Sequence, residues 1–160
     1  MKGLQKTFTY TQLNKGTRDE VFPLLCPVRE KDWLDGWEFE MIYSQSGVAE
    51  EDCVFTTPHH GKFVTVWHIV RHDPLEYVIE FVRVTPEENV VKIHIHLEEM
   101  DENNTFSHIS YQYTALNDEA KKYVKEQLPT DFSQSMEWWE HSLNHYLRTG
   151  HKLLRESVNH

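Results

Sequence analysis

His94, His96 and Glu98 alternate along one predicted strand, and the hairpin that follows is expected to set His108 opposite Glu98. Neutral imidazoles and a carboxylate within that reach are ordinary zinc ligands, although four groups must converge tetrahedrally to hold the ion. A second row, Glu137, His141 and His145, repeats at helical spacing on the flank opposite Met136, Trp139 and Leu143, where a solvated charged face is the plainer reading. No metal and no cofactor is assigned on either row. A histidine pair around a glutamate in zinc-protease spacing, a phosphate-cradling glycine loop and a nucleophile elbow are all missing from the sequence. Cys53 lies near His59 and His60 in sequence, which does not make a dyad. Five tyrosines, Tyr43, Tyr77, Tyr111, Tyr113 and Tyr146, fall on predicted inward faces, and each buried phenol needs a hydrogen-bond partner. Arg83 and Arg71 continue the same faces. A guanidinium at a cavity mouth could hold a carboxylate or phosphate, and a surface ion pair is the alternative. The acidic residues fall mostly outward, so no buried carboxylate pair is expected to do acid–base work.

These groups need a frame. The region 36–116 reads as strands and hairpins: Trp37 to Tyr43, Asp52 to Thr57, Lys62 to Arg71, Leu75 to Val84, Val90 to Met100 and Thr105 to Leu116. A first strand, Thr7 to Gln12, precedes two short helices. The first of these is capped by Thr17, carries Asp19 and Glu20 in its opening turn and is expected to close at Pro27; the second carries Trp33. After a short helical piece capped near Asn117, Pro129 is expected to separate it from a long amphipathic helix, Asp131 to about Val158. Phe132, Met136, Trp139, Leu143, Tyr146, Leu147, Gly150, Leu153 and Leu154 recur there at steps of three and four. About 27 residues at 1.5 Å each would give roughly 40 Å of helix. The order implies an α+β fold: a seven-stranded curved antiparallel sheet wrapped around the terminal helix, within one domain spanning residues 1–160.

Pairing Arg71 with Leu75 sets Ile69 opposite Tyr77, Trp67 opposite Ile79 and Thr65 opposite Phe81. A three-residue loop, Glu102 to Asn104, sets Ile95 opposite Tyr111 and Ile93 opposite Tyr113. Together with Trp37, Phe39, Met41, Tyr43, Phe55 and Arg83 from the sheet, and Met136, Trp139, Leu143 and Tyr146 from the helix, these form an inner surface that could line a pocket. For any one of them, simple core filling is the alternative.

The formal net charge of −10 at pH 7 disfavours nucleic acid and anionic membranes, since no basic cluster answers it. No apolar run approaches the 18 or so residues of a membrane span, and the N-terminal residues lack the apolar core of a signal peptide. A cytoplasmic protein without stable membrane insertion is expected, with Cys26 and Cys53 reduced. Val64, Val66, His68, Val70, Val78, Val82 and Val84 on the outer face leave room for a homodimer contact or a covering segment, and β-propensity alone also explains the valines.

The element order, with the phrases Val66-Trp67-His68-Ile69-Val70-Arg71-His72-Asp73-Pro74, Phe81-Val82-Arg83-Val84-Thr85-Pro86, Tyr111-Gln112-Tyr113-Thr114-Ala115-Leu116 and Tyr146-Leu147-Arg148-Thr149-Gly150, resembles the START-like superfamily. This superfamily, also called SRPBCC, helix-grip or Bet v 1-like, includes plant pathogenesis-related proteins, lipid-transfer START domains and polyketide cyclases. The resemblance implies a mainly apolar cavity between sheet and helix holding a hydrophobic or amphipathic small molecule. It also admits a cyclase- or dehydratase-like enzyme using the same cavity, and a co-chaperone-like interaction module with the cavity filled. Whether the chain is an enzyme therefore stays open. A buried titratable group with a displaced pKa would favour the enzyme; a cavity lined only by aromatic and aliphatic side chains would favour the binding protein.

Overall fold

The computed structural model describes residues 2–59 and 63–155. Seven strands form one antiparallel sheet in the order β1-β7-β6-β5-β4-β3-β2. They are β1 (Gln5–Asn14), β2 (Glu40–Tyr43), β3 (Val54–Pro58), β4 (Val64–Asp73), β5 (Val78–Thr85), β6 (Asn89–Asp101) and β7 (Asn104–Ala115). The helices are α1 (Arg18–Val21), α2 (Pro27–Trp33), α3 (Asp118–Glu126) and α4 (Leu128–Thr149), with a 3-10 turn at Phe22–Leu24 between the first two. This is the α+β arrangement expected: two short helices after the first strand, a sheet built by successive hairpins, and a long helix near the end of the chain. The core lies between the sheet's inner face, where Ile69, Ile79, Val91, Ile93 and Leu97 are buried, and Phe132, Met136 and Leu143 of α4.

Local chemistry explains the helix starts. Thr17 and Glu20 form a reciprocal capping box: Glu20 N donates to the Thr17 hydroxyl (3.2 Å) and Thr17 N to the Glu20 carboxylate (3.0 Å). Asn117 caps α3 through Ala120 N (2.8 Å). The two prolines fall at the expected breaks, after the first helical stretch and between α3 and α4, and each also sits in the first turn of the helix that follows. Pro27 opens α2 and Pro129 lies in the first turn of α4, positions where the missing N–H has no intrahelical partner to lose. The long helix is shorter than its apolar pattern suggests. Gly150, at φ +73°, adopts the left-handed conformation and donates to Tyr146 O, ending α4 after 22 residues, about 33 Å. Leu153 instead forms a parallel bridge with Leu34, and the expected extension toward Val158 runs beyond the described residues.

Strand registers also depart from the expected ones, by even steps that preserve the faces. Ile69 pairs with Phe81 and Trp67 with Arg83; Ile93 pairs with Tyr111, Val91 with Tyr113 and Ile95 with Ile109. At the β6–β7 hairpin Asp101 pairs directly with Asn104, its carboxylate accepting from Asn103 N and Asn104 Nδ2, so the connection is tighter than the three residues expected. On β4 an irregularity between Ile69 and Arg71 turns Arg71 outward against Glu80 (3.5 Å) and Asp73 (3.6 Å). Arg71 is therefore a surface ion-pairing residue. Trp37 and Phe39 precede β2: the Trp37 indole donates to Pro27 O (2.8 Å), which holds this stretch against α2 and off the ladder.

One tether of α4 to the sheet was not expected. The Glu140 carboxylate accepts from the Tyr10 hydroxyl (2.9 Å) and from Leu13 N (2.7 Å) on β1, and burial together with this bond pushes the Tyr10 pKa up to about 12. Glu140→Ala removes two bonds to a charged acceptor, so a loss of about 1.5–3 kcal/mol is expected in urea denaturation. A loss below about 0.5 kcal/mol would show the tether to be idle.

Candidate binding cavity

α2 and α4 meet at Trp33. Its side chain is fully buried, donates from Nε1 to Leu24 O (3.0 Å), and sets its ring edge-on to Trp139 at 5.1 Å. Glu30 stands three residues before Trp33 and so shares its helix face, turned toward the space between sheet and helix. That space is a cavity of about 280 Å³. Its walls include Trp37, Phe55, Trp67, Phe81, Ile93, Ile95, Tyr111, Met136 and Trp139, all expected from the sequence, and Leu25, Glu30, Leu34, Asp35, Gly36, Ser135, Trp138 and Arg155, which were not.

The aromatic wall is cross-braced. Phe55 stacks on Trp67 at 5.3 Å, Trp67 meets Trp37 at 6.1 Å and Phe81 at 5.9 Å edge-on, and Tyr111 stacks with Tyr113 at 6.1 Å. The Arg83 guanidinium rests against the rings of Trp67 (5.2 Å), Tyr111 (5.4 Å) and Tyr113 (5.7 Å) and donates to the Tyr113 hydroxyl (2.9 Å). Among the described residues no carboxylate pairs with it, so the surface ion pair weighed for Arg83 does not form. Arg83 and Tyr113 open on a second, larger hollow of about 730 Å³, lined also by His59, Thr65, Thr85, Glu88, Asn89 and Tyr123.

Glu30 is the group that sequence reasoning missed. It is 8% exposed, and burial pushes its carboxyl up to about 8. No hydrogen bond or ion pair reaches that carboxyl among the described residues. Within Arg29-Glu30-Lys31-Asp32 nothing in residue type distinguishes it; only its spacing from Trp33 could have flagged it. Burial likewise raises the pKa of Tyr111, whose hydroxyl has no hydrogen-bond partner within the described chain.

The remaining expected residues lie elsewhere. Ile69, Ile79 and Leu143 are fully buried against their neighbours, and Met41 packs its sulfur on Cys53 (3.4 Å). Phe39 stacks on Trp37, and Tyr146 interacts with Arg29. Tyr43 is 58% exposed, because an irregularity after Met41 puts it opposite Val54 and turns it out. Tyr77 leaves the sheet with φ +57° and donates to Asp19 (2.6 Å), far from any inward phenol cluster.

The histidine rows do not gather into a site. His96, not Glu98, faces His108 across the β6–β7 ladder; His94 lies 3.3 Å from Glu80 and His108 lies 3.4 Å from Glu98, all on the outer face. Among the described residues no group of three or more potential ligands is arranged for a metal. Cys26 and Cys53 are buried and free, and burial raises Cys53 to about 11, so its thiol keeps its proton at neutral pH. No helix among the described residues is long and apolar enough to cross a membrane.

A curved seven-stranded antiparallel sheet around a long helix, with two short helices after the first strand, is the helix-grip fold of the START-like, Bet v 1-like proteins. Solved structures show the likeness across nearly the whole chain. Norcoclaurine synthase from Thalictrum flavum, in complex with dopamine and hydroxybenzaldehyde, superposes with a TM-score of 0.67 at 12% identity, covering 91% of this chain and 87% of the synthase. The Zhui aromatase/cyclase from Streptomyces sp. R1128 gives 0.63 at 11% identity over 94% of this chain and 100% of the cyclase. Major latex-like protein 151 from Panax ginseng gives 0.60 at 18% identity over 88% and 99%. No family model and no curated protein sequence matches the chain. At these identities the likeness is one of fold, and function has to be argued from the cavity.

Proposed function

We propose that the protein binds an apolar, ring-bearing small molecule in the cavity between sheet and helix. The observation that carries this reading is the cavity itself: about 280 Å³ that the protein's own side chains leave unfilled, walled by Trp37, Phe55, Trp67, Phe81 and Trp139. The size falls just below the usual range of small-molecule sites, about 300–1,000 Å³, and suits a small guest. Burial of apolar ligand surface supplies roughly 25 cal/mol per Å², so about 250 Å² yields about 6 kcal/mol before the cost of immobilising the ligand. Arg83, through Tyr113, offers a polar end at the second hollow. A cavity left open also speaks against the interaction-module reading, which needs it filled.

A second reading, acid–base chemistry in the same space, is favoured by Glu30 alone. A carboxyl that keeps its proton at neutral pH inside an apolar cavity can act as a proton donor, as catalytic carboxylic acids do.

The neutral fluorophore N-phenyl-1-naphthylamine tests the binding reading. Micromolar binding is expected, and Ile93→Phe, which projects a larger side chain from the cavity wall, should weaken it at least tenfold while leaving the circular dichroism spectrum intact. No binding, or binding indifferent to Ile93→Phe, would reject the cavity as the site.

A further inference from the structure

We propose that the ligand of the inner cavity is an amphipathic amine, an apolar body bearing an aliphatic ammonium group that pairs with the Glu30 carboxylate. This rests on the cavity being a small-molecule site and adds the ligand's chemical class.

The buried polar side chains around the core are nearly all matched. Gln12 donates to Met136 O, Asn14 serves Gln12 and Ser107, Thr65 pairs with Thr85, and Thr105 donates to Gly16 O. Among the described residues Asn89 Oδ1, Trp138 Nε1 and Ser142 Oγ are buried without a partner, and no hydrogen bond or ion pair reaches the Glu30 carboxyl. Glu30 and Trp138 both line the cavity; Glu30 is the ionisable one, and its missing partner can arrive from outside. An unpaired carboxyl in an apolar enclosure is costly, and that cost is removed by a guest that brings donors and opposite charge together. An ammonium group carries three N–H donors and a positive charge, and indole faces such as those of Trp37, Trp67 and Trp139 suit a cation through their quadrupoles.

An anionic guest fits poorly. The charged and titratable groups around the cavity are Glu30 on α2, Asp35 at the mouth, Tyr111 on β7, Arg155 after α4 and Arg83 behind Tyr111. Arg155 lies over the Trp138 ring (4.5 Å) with its backbone N on Asp35, Arg83 is engaged with Tyr113, and among the described residues neither cation forms an ion pair with Glu30. The overall charge of −10 favours an approaching cation as well.

The protons balance simply. An aliphatic amine has a pKa of about 10.4 and is ammonium in water at pH 7; in the pair each charge offsets the other's desolvation, and this keeps the proton on nitrogen. The guest enters as ammonium, and Glu30 releases its own proton to water. At pH 7 nearly one proton leaves per amine bound; at pH 9.5, where free Glu30 is already ionised, almost none does.

Calorimetry on the full chain with three probes of one shape, 3-phenylpropylamine, 3-phenylpropan-1-ol and 3-phenylpropionate, decides the matter, using phosphate and Tris buffers to count protons. The amine is expected to bind at least tenfold more tightly than the alcohol, with the carboxylate weakest, and to release close to one proton at pH 7. In Glu30→Gln the amine's advantage should fall below about threefold and the proton release should vanish. Equal affinities for amine and alcohol, a tightest carboxylate, or proton release surviving Glu30→Gln would overturn the inference. If N-phenyl-1-naphthylamine binds in those cases, the cavity reading stands and only the amine is wrong; if it does not bind, the cavity reading fails first.

Discussion

Glu30→Gln stabilises the protein above about pH 5, and the gain grows until about pH 8. The folded-state pKa is raised from the ordinary 4.5 to about 8, so between those values the folded chain holds a proton that the unfolded chain has lost. Stability therefore falls as pH rises, by about 1.4 kcal/mol per pH unit across that window, up to about 5 kcal/mol in all. Below pH 4.5 the carboxyl is protonated in both states and the penalty is absent. Glutamine keeps the shape and carries no charge, so it removes the slope without opening a cavity. With about 2–4 °C per kcal/mol for a chain of this size, the melting temperatures of the two proteins should nearly coincide at pH 4.5 and stand about 10–20 °C apart at pH 8.5. Glu50, Asp101 and Asp131, whose pKa values are lowered by hydrogen bonds, give both proteins the same acid-side loss, so the difference between the curves isolates Glu30. Parallel curves would mean that the carboxyl is solvated or paired in the folded state.

Trp33→Ala is the most damaging single truncation expected at the helix contact. It removes a fully buried indole, its bond to Leu24 O and its edge-on contact with Trp139, and leaves a void where α2 meets α4. Such truncations cost about 3–5 kcal/mol, which corresponds to a fall of about 6–20 °C in melting temperature. Trp139→Ala should cost less, because that ring is only partly buried and already borders open space. Equal losses for the two, or a loss below about 1 kcal/mol for Trp33→Ala, would show that α2 is held to α4 by something other than this side chain.

Both residues lie on α2, and they were unequally visible. Trp33 announces itself, since a tryptophan in a short helix has to bury somewhere. Glu30 looks like its charged neighbours until the sheet and α4 close over it, because desolvation is a property of what surrounds a group and not of the group.

Periodicity in the sequence determined the element order, the capping of α1 by Thr17 and the inward set of Trp67, Ile69, Phe81, Ile93, Ile95, Tyr111 and Tyr113. Alternation at period two assigns faces from neighbours alone, and it survived registers that shifted by even steps. Tertiary structure decided the rest. The irregularity after Ile69 sent Arg71 outward, the break after Met41 exposed Tyr43, a left-handed turn carried Tyr77 to Asp19, and Gly150 stopped α4 while its apolar pattern ran on. Turn geometry, bulges and burial depend on contacts between residues far apart in the chain, and those contacts exist only once the sheet has curved around the helix.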